Sequence, residues 1–522
     1  MPTGRETEGS SNRVQDQSLE LPGPSVRVLL RTVAPIAVGP RARHGKPMND
    51  GDRWEHPRTL IVGRGFDQTS GAGITLSSLF RDWPRDRLAA ACAASETMDT
   101  SVCENYYALG SEEARWIWPL SRFGRSIPSG PVPLHAGDGD ERLLDTRSTR
   151  LARPNGGAPM SRARRAFWGS VVASGAEHFL LRRHVSARLA AWIRAFRPEV
   201  IYTHLESLPM IGFVDSIVTQ FDLPLVIHMM DDWPSVPEHE GFLSPVTKRV
   251  IDRKLRRLMD KASCNMGISR YMCDAFQAKY AHEFLPFHNV LDTRTWTVTP
   301  RTNWAAAEPF LLVYAGRVGK ANEVALRDVA AVVAMLAEKG LPLRLEVYAL
   351  DRAPFPAGTW PASRAVRVLP AVSYAEIPEL LVRADLLVLP LDFALKDLAY
   401  ARYSMPTKVA EYLGAGTPIL VYCPEDSAVT QYARSAGWGA IVGTRDFTAL
   451  SRTIARLVAD ETERERLGRV ALSVAQTDHD PSRVRADFAR ALFDASTANW
   501  IRRRKEGWSS GRRAPGPERE SE

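Results

Sequence analysis

The 522-residue chain contains no run of 18 or more apolar residues, the length that a helix needs to cross a bilayer. Residues 1–23 are polar and lack the apolar segment of a secretory signal, so we expect none. Cysteine is scarce: five cysteines without C-x-x-C spacing argue against a disulfide framework or a zinc site and favour a reducing cytoplasm. With 25% charged and 8% aromatic residues, the composition is globular, which excludes fibrous and wholly disordered chains.

Lysine is also scarce: the chain has ten lysines and 58 arginines, and its net charge is +8. Such an arginine bias is typical of genome composition and does not by itself indicate nucleic-acid binding. The basic surplus suits anionic ligands such as nucleotide phosphates, or acidic lipid, without choosing between them. We therefore expect no nucleic-acid partner.

Apolar strands alternate with helical segments along most of the chain, a pattern typical of β-α-β units and parallel sheets. The alternation stops at the linker-like stretch Pro300–Pro309 and then restarts. We predict an α/β protein with two doubly wound, Rossmann-like domains facing each other across a cleft. Because ligands bind outside the carboxyl ends of parallel strands, this cleft suits a transfer reaction with one substrate per domain.

The predicted domains are flanked and interrupted by segments of other character. Arg162–Phe196 reads as one long helix or two abutting ones. Both chain ends are rich in Gly, Ser, Pro, Glu and Arg without periodicity, which predicts disorder. The predicted organisation is an N-terminal extension, partly disordered, at 1–56; an N-terminal acceptor-binding domain at 57–297 with a flexible insertion at 121–160; a nucleotide-sugar-binding domain at 298–480; a helix at 481–505; and a disordered tail at 506–522.

The most informative motif is Arg-Tyr-Ser-Met-Pro-Thr-Lys-Val-Ala-Glu-Tyr-Leu, residues 402–413. Pro406 suits the first turn of a helix that Ser404 would cap, and the free amides of a helix start favour an anion such as a diphosphate. Lys408 and Glu411, three residues apart, share a helix face. A capped surface helix with a solvent-exposed ion pair is the alternative.

A second motif, Gly316-Arg-Val-Gly-Lys320, directly follows the predicted strand Phe310–Ala315. A glycine at a strand end lets the backbone approach a ligand. Arg317 can grip phosphate oxygens bidentately, and Lys320 adds a point charge. The alternative is a solvated basic loop.

The N-terminal half offers two further candidates. Gly71 and Gly73 lie in a small-residue loop after the first strand, where a side chain would block a ligand's approach, although an ordinary tight turn explains them equally. His204 ends the strand Glu199–Thr203, where it can bond to a sugar hydroxyl or share a proton. The alternative for His204 is a structural histidine.

Together these motifs resemble the retaining glycosyltransferases of family 4, which have the GT-B fold, over residues 57–480. The resemblance implies that Arg317 and Lys320 clamp the diphosphate of a nucleotide-sugar donor, that Glu411 bonds the ribose, and that Ser404 and Lys408 assist at the phosphates. It also implies that the Gly71–Gly73 loop lies near donor and acceptor.

The same resemblance implies that Asp231, or alternatively Asp232, contacts the acceptor at the strand end His228–Pro234. His204 is the other candidate catalytic residue. Retaining transfer in this family is drawn as front-face attack, in which the donor phosphate takes the acceptor proton. The acceptor would be a glycan, a lipid-linked molecule or a small molecule, as in polysaccharide biosynthesis. No metal and no further cofactor are expected, because the nucleotide sugar is a co-substrate.

Three departures from the family pattern keep alternatives open. Tyr403 stands where an earlier Glu often touches the donor sugar, Met230 replaces a histidine, and Lys320 follows Arg317 by three residues instead of about five. A subgroup with a Ser-x-Pro-x-Lys run matches Ser404–Lys408. The alternatives are a sugar-nucleotide epimerase of GT-B fold and a catalytically degenerate, glycosyltransferase-like scaffold subunit.

A basic helix is predicted at Thr247–Lys261. Its cations lie opposite an apolar face and suit either plain solvent or peripheral contact with anionic lipid at the inner face of a membrane. They are Lys248, Arg249, Arg253, Lys254, Arg256, Arg257 and Lys261.

Overall fold

The computed structural model describes two parallel sheets and the helices that cover them, within a unit spanning Trp54–Glu522. The described residues are 56–510 except for 69, 95–97, 118–126, 133–169, 171–176, 236–243, 292–295, 297, 350–354, 356–358 and 395–400. The predicted extension at 1–56 therefore lies, apart from its last residue, outside the described residues.

The N-terminal sheet has eight strands in the order β10-β9-β8-β7-β1-β2-β3-β5. All pairs are parallel except β3 with β5. Strands buried on both faces read as apolar runs instead of alternating patterns, which is why the central strands were visible in the sequence. The strands are β1 Thr59–Gly63, β2 Leu88–Ala93, β3 Asn105–Leu109, β5 Gly130–Pro131, β7 Val200–Thr203, β8 Leu225–Met229, β9 Cys264–Gly267 and β10 Leu285–Pro286; β4 Ala114–Trp116 and β6 Leu181–Arg183 form a separate antiparallel pair.

The C-terminal sheet has six strands, all parallel, in the order β13-β12-β11-β14-β15-β16. Most side chains of its central strands are buried, again because helices cover both faces. The strands are β11 Phe310–Ala315, β12 Leu343–Ala349, β13 Val366–Pro370, β14 Leu386–Pro390, β15 Ile419–Tyr422 and β16 Gly439–Val442.

Helices form most of the connections between parallel strands, although none is described between β2 and β3 or between β12 and β13. The last one, α13, returns to the N-terminal sheet: Phe488 packs edge-on against Phe80 and Tyr202, with ring centroids 4.9 and 5.9 Å apart. The helices are α1 Gly71–Leu79, α2 Glu177–Leu180, α3 Ala187–Phe196, α4 Leu208–Phe221, α5 Ser244–Lys261, α6 Arg270–Tyr280, α7 Glu323–Glu338, α8 Ile377–Arg383, α9 Lys408–Ala415, α10 Ala428–Ala436, α11 Phe447–Ala459, α12 Glu461–Asp478 and α13 Pro481–Ser510.

The two halves meet along α6 and the segment before β11. The Ser269 hydroxyl donates to the Tyr403 carbonyl at 2.9 Å, and the Tyr271 hydroxyl donates to Ser435 Oγ at 3.0 Å. His479 Nδ1 lies 2.7 Å from the Asn289 carbonyl oxygen. These contacts place the loop 402–406 against the N-terminal half.

The predicted α/β class with two doubly wound sheets is confirmed, and most predicted elements are found within a few residues. The prediction of one long helix or two abutting helices at 162–196 is wrong for its described part, because β6 lies between α2 and α3 and pairs with β4. The predicted insertion 121–160 contains β5, which adds an antiparallel edge to the sheet. The rest of that insertion lies outside the described residues, and α13 runs to Ser510, past the predicted tail boundary.

Candidate functional site

Each sheet reverses its strand order at one point, and the predicted site residues follow the strands that flank these points. In the N-terminal sheet the reversal lies between β1 and β7, and in the C-terminal sheet between β11 and β14. In doubly wound sheets such a reversal opens a crevice beyond the carboxyl ends of the strands, and ligands bind there. The loops after β1, β7 and β11 carry Gly71, His204 and Arg317, so the topology brings the predicted residues to the two crevices.

The loop after β11 is held in a fixed shape. Gly316 has φ +139°, a conformation that residues with a side chain rarely adopt. The Tyr314 hydroxyl donates to the Arg317 carbonyl at 2.6 Å, and the Asn322 amide reaches the same carbonyl at 3.1 Å. The Gly319 amide donates to Asn322 Oδ1 at 3.0 Å. Tyr314 and Asn322, which the sequence analysis missed, therefore set the path of the glycine loop.

Lys408 reaches this loop from the neighbouring helix α9. Its Nζ lies 3.9 Å from the centroid of the Tyr314 ring, and a Cβ added to Gly316 would stand 2.7 Å from that nitrogen. Burial lowers the pKa of Lys408 because water no longer solvates the ammonium fully. The absence of a side chain at Gly316 thus leaves room for the ammonium beneath the loop.

Glu411 lies one turn further along α9. Burial raises its pKa, which a hydrogen bond with Tyr374 and the charge of Lys408 partly oppose. Within the described part of the chain, Lys408 and Glu411 form no ion pair within 4.0 Å. The alternative of a solvent-exposed ion pair is therefore not what the structure contains.

Arg317 and Lys320 project from the loop as exposed side chains. Neither side chain makes a hydrogen bond or an ion pair with another described residue. Both cations are thus available to a ligand at the β11–β14 crevice.

Ser404 does not cap the helix, contrary to prediction. Helix α9 begins at Lys408, after Thr407, whose side chain makes no capping hydrogen bond. The Ser404 amide instead donates to the Ala401 carbonyl at 3.1 Å in a turn before the helix.

The small-residue loop after β1 is the start of helix α1 instead of a free loop. Ser70 caps the helix by accepting from the Gly73 amide at 3.0 Å. The Asp67 carboxylate in turn accepts from the Ser70 amide and hydroxyl at 2.5 and 2.6 Å. A Cβ at Gly73 would stand 2.0 Å from Asp67, whereas one at Gly71 would meet nothing within 4 Å. Gly73 therefore makes room for Asp67, and only Gly71 faces open space; the Asp-x-x-Ser spacing was the overlooked signal.

His204 lies at the β1–β7 crevice but is 2% exposed. Its Nδ1 is 3.3 Å from the His228 carbonyl oxygen, and its Nε2 is 3.6 Å from Glu206 Oε1. Glu206 also pairs with Arg64. The structure thus places His204 in a short chain of polar side chains that reaches the surface through the Glu206–Arg64 pair.

His228 is a separate case. It is fully buried, and its Nδ1 lies 2.5 Å from the Tyr202 hydroxyl. Burial, with a smaller effect of nearby His204, lowers its pKa to about 3, so this histidine is neutral at physiological pH.

The two aspartates after β8 differ in burial and in their surroundings. Asp231 is half-buried, and its Oδ1 accepts from the Trp233 amide at 3.3 Å. Asp232 is 5% exposed and lines a cavity of about 280 Å³ together with Arg402 and Tyr403. The sequence pattern does not distinguish the two, because they are adjacent.

Among the described residues, no group of three or more His, Cys, Asp or Glu side chains is arranged to hold a metal ion. No helix in that part of the chain is long and apolar enough to span a membrane.

Comparison with known proteins adds two family matches and several similar structures. Residues 140–283 match a family described as a glycosyl transferase 4-like domain, and residues 309–460 match one described as glycosyl transferases group 1. A comparison with curated proteins gives no match.

Three solved structures illustrate the similarity of fold. Sucrose-phosphate synthase from Thermosynechococcus elongatus is 12% identical, with 83% of this chain and 97% of that chain covered and a TM-score of 0.53. Anabaena HepE in complex with UDP and glucose is 13% identical (84% and 99% covered, TM-score 0.51). A glycosyltransferase from Rickettsia africae is 8% identical (84% and 98% covered, TM-score 0.51). At these identities the likeness shows a shared fold, the GT-B arrangement.

Proposed function

Because the chain belongs to the group 1 glycosyltransferases of GT-B fold, two of whose domains match more than half of it, we propose that it transfers a sugar from a nucleotide-diphosphate sugar with retention of anomeric configuration. The acceptor is the hydroxyl of a glycan, a lipid-linked molecule or a small molecule. One observation carries the donor assignment: the Lys408 ammonium lies directly beneath the side-chain-free backbone of Gly316 at the β11–β14 crevice.

The donor diphosphate is held by the glycine loop and its cations. Arg317 and Lys320 approach the phosphates from the exposed side of the loop, and Lys408 approaches from beneath. Such fixed cations stabilise the charge that develops on the departing diphosphate, the main requirement of a reaction whose proton acceptor is the donor's own phosphate. Glu411 accepts hydrogen bonds from the ribose hydroxyls, and the Ser404 turn lies at the start of the same helix.

The acceptor approaches from the N-terminal half. The open space beside Gly71 admits it, and His204 and Asp231 act as polar groups at the strand ends that orient its hydroxyl toward the donor sugar. HepE, of similar fold, has been crystallised with UDP and glucose, which is consistent with a nucleotide donor here. No resident cofactor takes part in this scheme.

We also propose a cytoplasmic location with peripheral contact at the inner face of the membrane. The apolar face predicted for the basic helix is buried as expected, through Ile251, Leu255, Leu258 and Met259 of α5. The opposite face carries exposed cations that attract anionic lipid.

The experiment is donor turnover by the purified chain. A thermal-shift panel of UDP, GDP, ADP and TDP sugars first selects the donor, and nucleoside-diphosphate release is then followed with and without candidate acceptors. The anomeric proton coupling of the product, read by NMR, reports retention or inversion. Conversion of the donor to its epimer would instead support the epimerase, and nucleotide-sugar binding without turnover would support the scaffold subunit.

A further inference from the structure

Two adjoining cavities form a groove that leads from the space between the halves toward the basic helix. The first, of about 280 Å³, is lined by Asp232, Lys279, Tyr403 and neighbouring residues. The second, of about 400 Å³, is lined by Lys248, Arg249, Tyr280 and their neighbours. Ser235 and Lys279 belong to both, so the cavities are continuous along helix α6. We name this space the α5–α6 groove.

Two buried polar groups in the groove walls lack a partner among the described residues. Asp232 Oδ1 and the Tyr280 hydroxyl accept or donate no hydrogen bond, although Asp232 is 5% and Tyr280 3% exposed. Buried polar groups are rarely left without a partner, because the lost hydration is costly. A hydroxyl-bearing ligand in the groove would supply the missing partners.

Burial raises the pKa of Asp232 to about 6. Its carboxylate is therefore mostly ionised at neutral pH, and in that state it accepts hydrogen bonds.

The charges around the groove are unbalanced toward the positive. Arg402 is paired with Asp426, and Asp252 with Arg256, at 2.8 and 3.0 Å. Lys248 and Arg249, by contrast, form no ion pair with any described residue.

Lys279 likewise has no ion pair in the described part; its Nζ lies 3.4 Å from Ser235 Oγ and 5.0 Å from the centroid of the Tyr280 ring. The lining of the groove thus holds three cations without an ion pair in the described residues, against one such carboxylate, Asp232. The surplus of two positive charges matches the charge of a phosphate monoester near pH 7.

We propose that the acceptor of the reaction is phosphorylated and that it extends from the strand ends near His204 into the α5–α6 groove. Its phosphate binds Lys279, Lys248 and Arg249, while one of its hydroxyl groups donates to Asp232 at the end nearer the donor. This inference rests on the proposed function and specifies the substrate class of that same site. A soluble sugar phosphate presents a phosphate monoester beside its hydroxyl groups, and a phospholipid with a polyol headgroup presents a phosphate beside hydroxyl groups with one negative charge fewer.

The test measures binding of defined probes to the full chain. By calorimetry, glucose 6-phosphate is compared with glucose and with inorganic phosphate. By co-sedimentation, phosphatidylcholine vesicles containing phosphatidylinositol are compared with vesicles containing the same amount of phosphatidylserine, which has the charge without the polyol. The affinity for the nucleoside diphosphate is measured in parallel, because its loss would indicate failure of the proposed function and not of the groove.

The variants separate the groove from general basic attraction. Lys279→Gln and Arg249→Gln should each weaken binding of the phosphorylated probe by at least about tenfold, as expected for a charge-assisted hydrogen bond. Lys254→Gln, on the same helix but outside the groove, is the matched control for the soluble probe and should leave binding of glucose 6-phosphate unchanged. Asp232→Asn should weaken glucose 6-phosphate or phosphatidylinositol but not inorganic phosphate, because only the former two offer a hydroxyl.

Binding of glucose 6-phosphate or of phosphatidylinositol vesicles, with this pattern of losses, supports the groove and identifies which source it accepts. The proposal is overturned if neither probe binds while the nucleoside diphosphate does. It is equally overturned if Lys254→Gln weakens binding of glucose 6-phosphate as much as Lys279→Gln does, or if glucose 6-phosphate fails to bind and the phosphatidylserine and phosphatidylinositol vesicles bind alike. Those results would describe a basic surface without a built site.

Discussion

Replacing Gly316 by alanine tests whether the glycine loop and Lys408 form one phosphate site. The added Cβ has two separate effects. At φ +139° an alanine is strained, which costs about 1–3 kcal/mol of stability. The Cβ also stands 2.7 Å from Lys408 Nζ, closer than contacts allow, so the ammonium must move by roughly 1 Å, a shift that a flexible lysine makes at little steric cost.

The displacement should therefore appear in binding and the strain in stability. Loss of one charge-assisted contact to a phosphate corresponds to about 1.5–3 kcal/mol, or roughly a 10- to 150-fold rise in the Kd for the nucleoside diphosphate. The strain should lower the Tm by roughly 2–12 °C for a domain of this size. Titration calorimetry and differential scanning fluorimetry measure the two effects independently.

Gly319→Ala is the matched control in the same loop. A Cβ at Gly319 meets nothing within 4 Å, so this variant should keep both affinity and Tm near those of the wild type. If Gly316→Ala binds the nucleoside diphosphate as tightly as Gly319→Ala does, the Lys408 ammonium beneath the loop does not contact the phosphates, and the donor assignment fails.

Four further predictions address the other residues. Arg317→Ala should raise the Kd for the nucleoside diphosphate at least about tenfold without changing the Tm, by calorimetry and fluorimetry. Glu411→Gln should weaken a ribonucleoside diphosphate more than its 2′,3′-dideoxy analogue, by competitive titration. His204→Ala should lower turnover by roughly 10²-fold while donor affinity stays the same. Gly73→Ala should lower the free energy of unfolding by about 1–3 kcal/mol in denaturant titrations, because its Cβ overlaps the Asp67 carboxylate. Gly71→Ala should raise the free energy of unfolding by about 0.5–1 kcal/mol in the same titrations, and it should reduce turnover.

Each of these outcomes has a result that contradicts it. Unchanged affinity in Arg317→Ala would mean that this exposed arginine is only solvated. Equal losses for the two nucleotides would remove the ribose role of Glu411. For His204→Ala, a lowered Tm with the same loss of turnover would identify a structural histidine, and full turnover would shift attention to the aspartates after β8. Full turnover in Gly71→Ala would mean that no substrate passes that glycine.

The site could be predicted from sequence only as far as local patterns reach. The glycine after β11 and the Lys-x-x-Glu spacing in α9 are short-range signals, so Gly316, Arg317, Lys408 and Glu411 could be named as candidates from the sequence. Asp232 was not separated from Asp231, because only the turn into residues 233–235 decides which carboxylate faces the cavity. The packing of Gly73 on a neighbouring carboxylate is likewise a contact of side chains and not a pattern.

The capping role expected of Ser404 failed for a related reason. A serine followed by a proline two residues later is typical of a helix start, yet the chain makes a further turn first, and α9 begins at Lys408. Loop 402–406 is held by the Ser269 hydroxyl from the other half of the molecule. A local propensity of a few tenths of a kcal/mol to about 1 kcal/mol does not decide a helix boundary against such contacts.

The sequence alone determined the α/β class and the buried strands, because strands covered on both faces must be continuously apolar wherever they occur. It also determined which residue types could hold phosphate. Only the tertiary structure decided the strand order, and with it the two crevices where the loops after β1, β7 and β11 converge, because pairing between distant strands leaves no local signal. Tertiary structure likewise placed Lys408 beneath Gly316, although the two residues are 92 positions apart in the chain. It also brought α13 back onto the first sheet, since burial of Phe488 depends on partners more than 200 residues away.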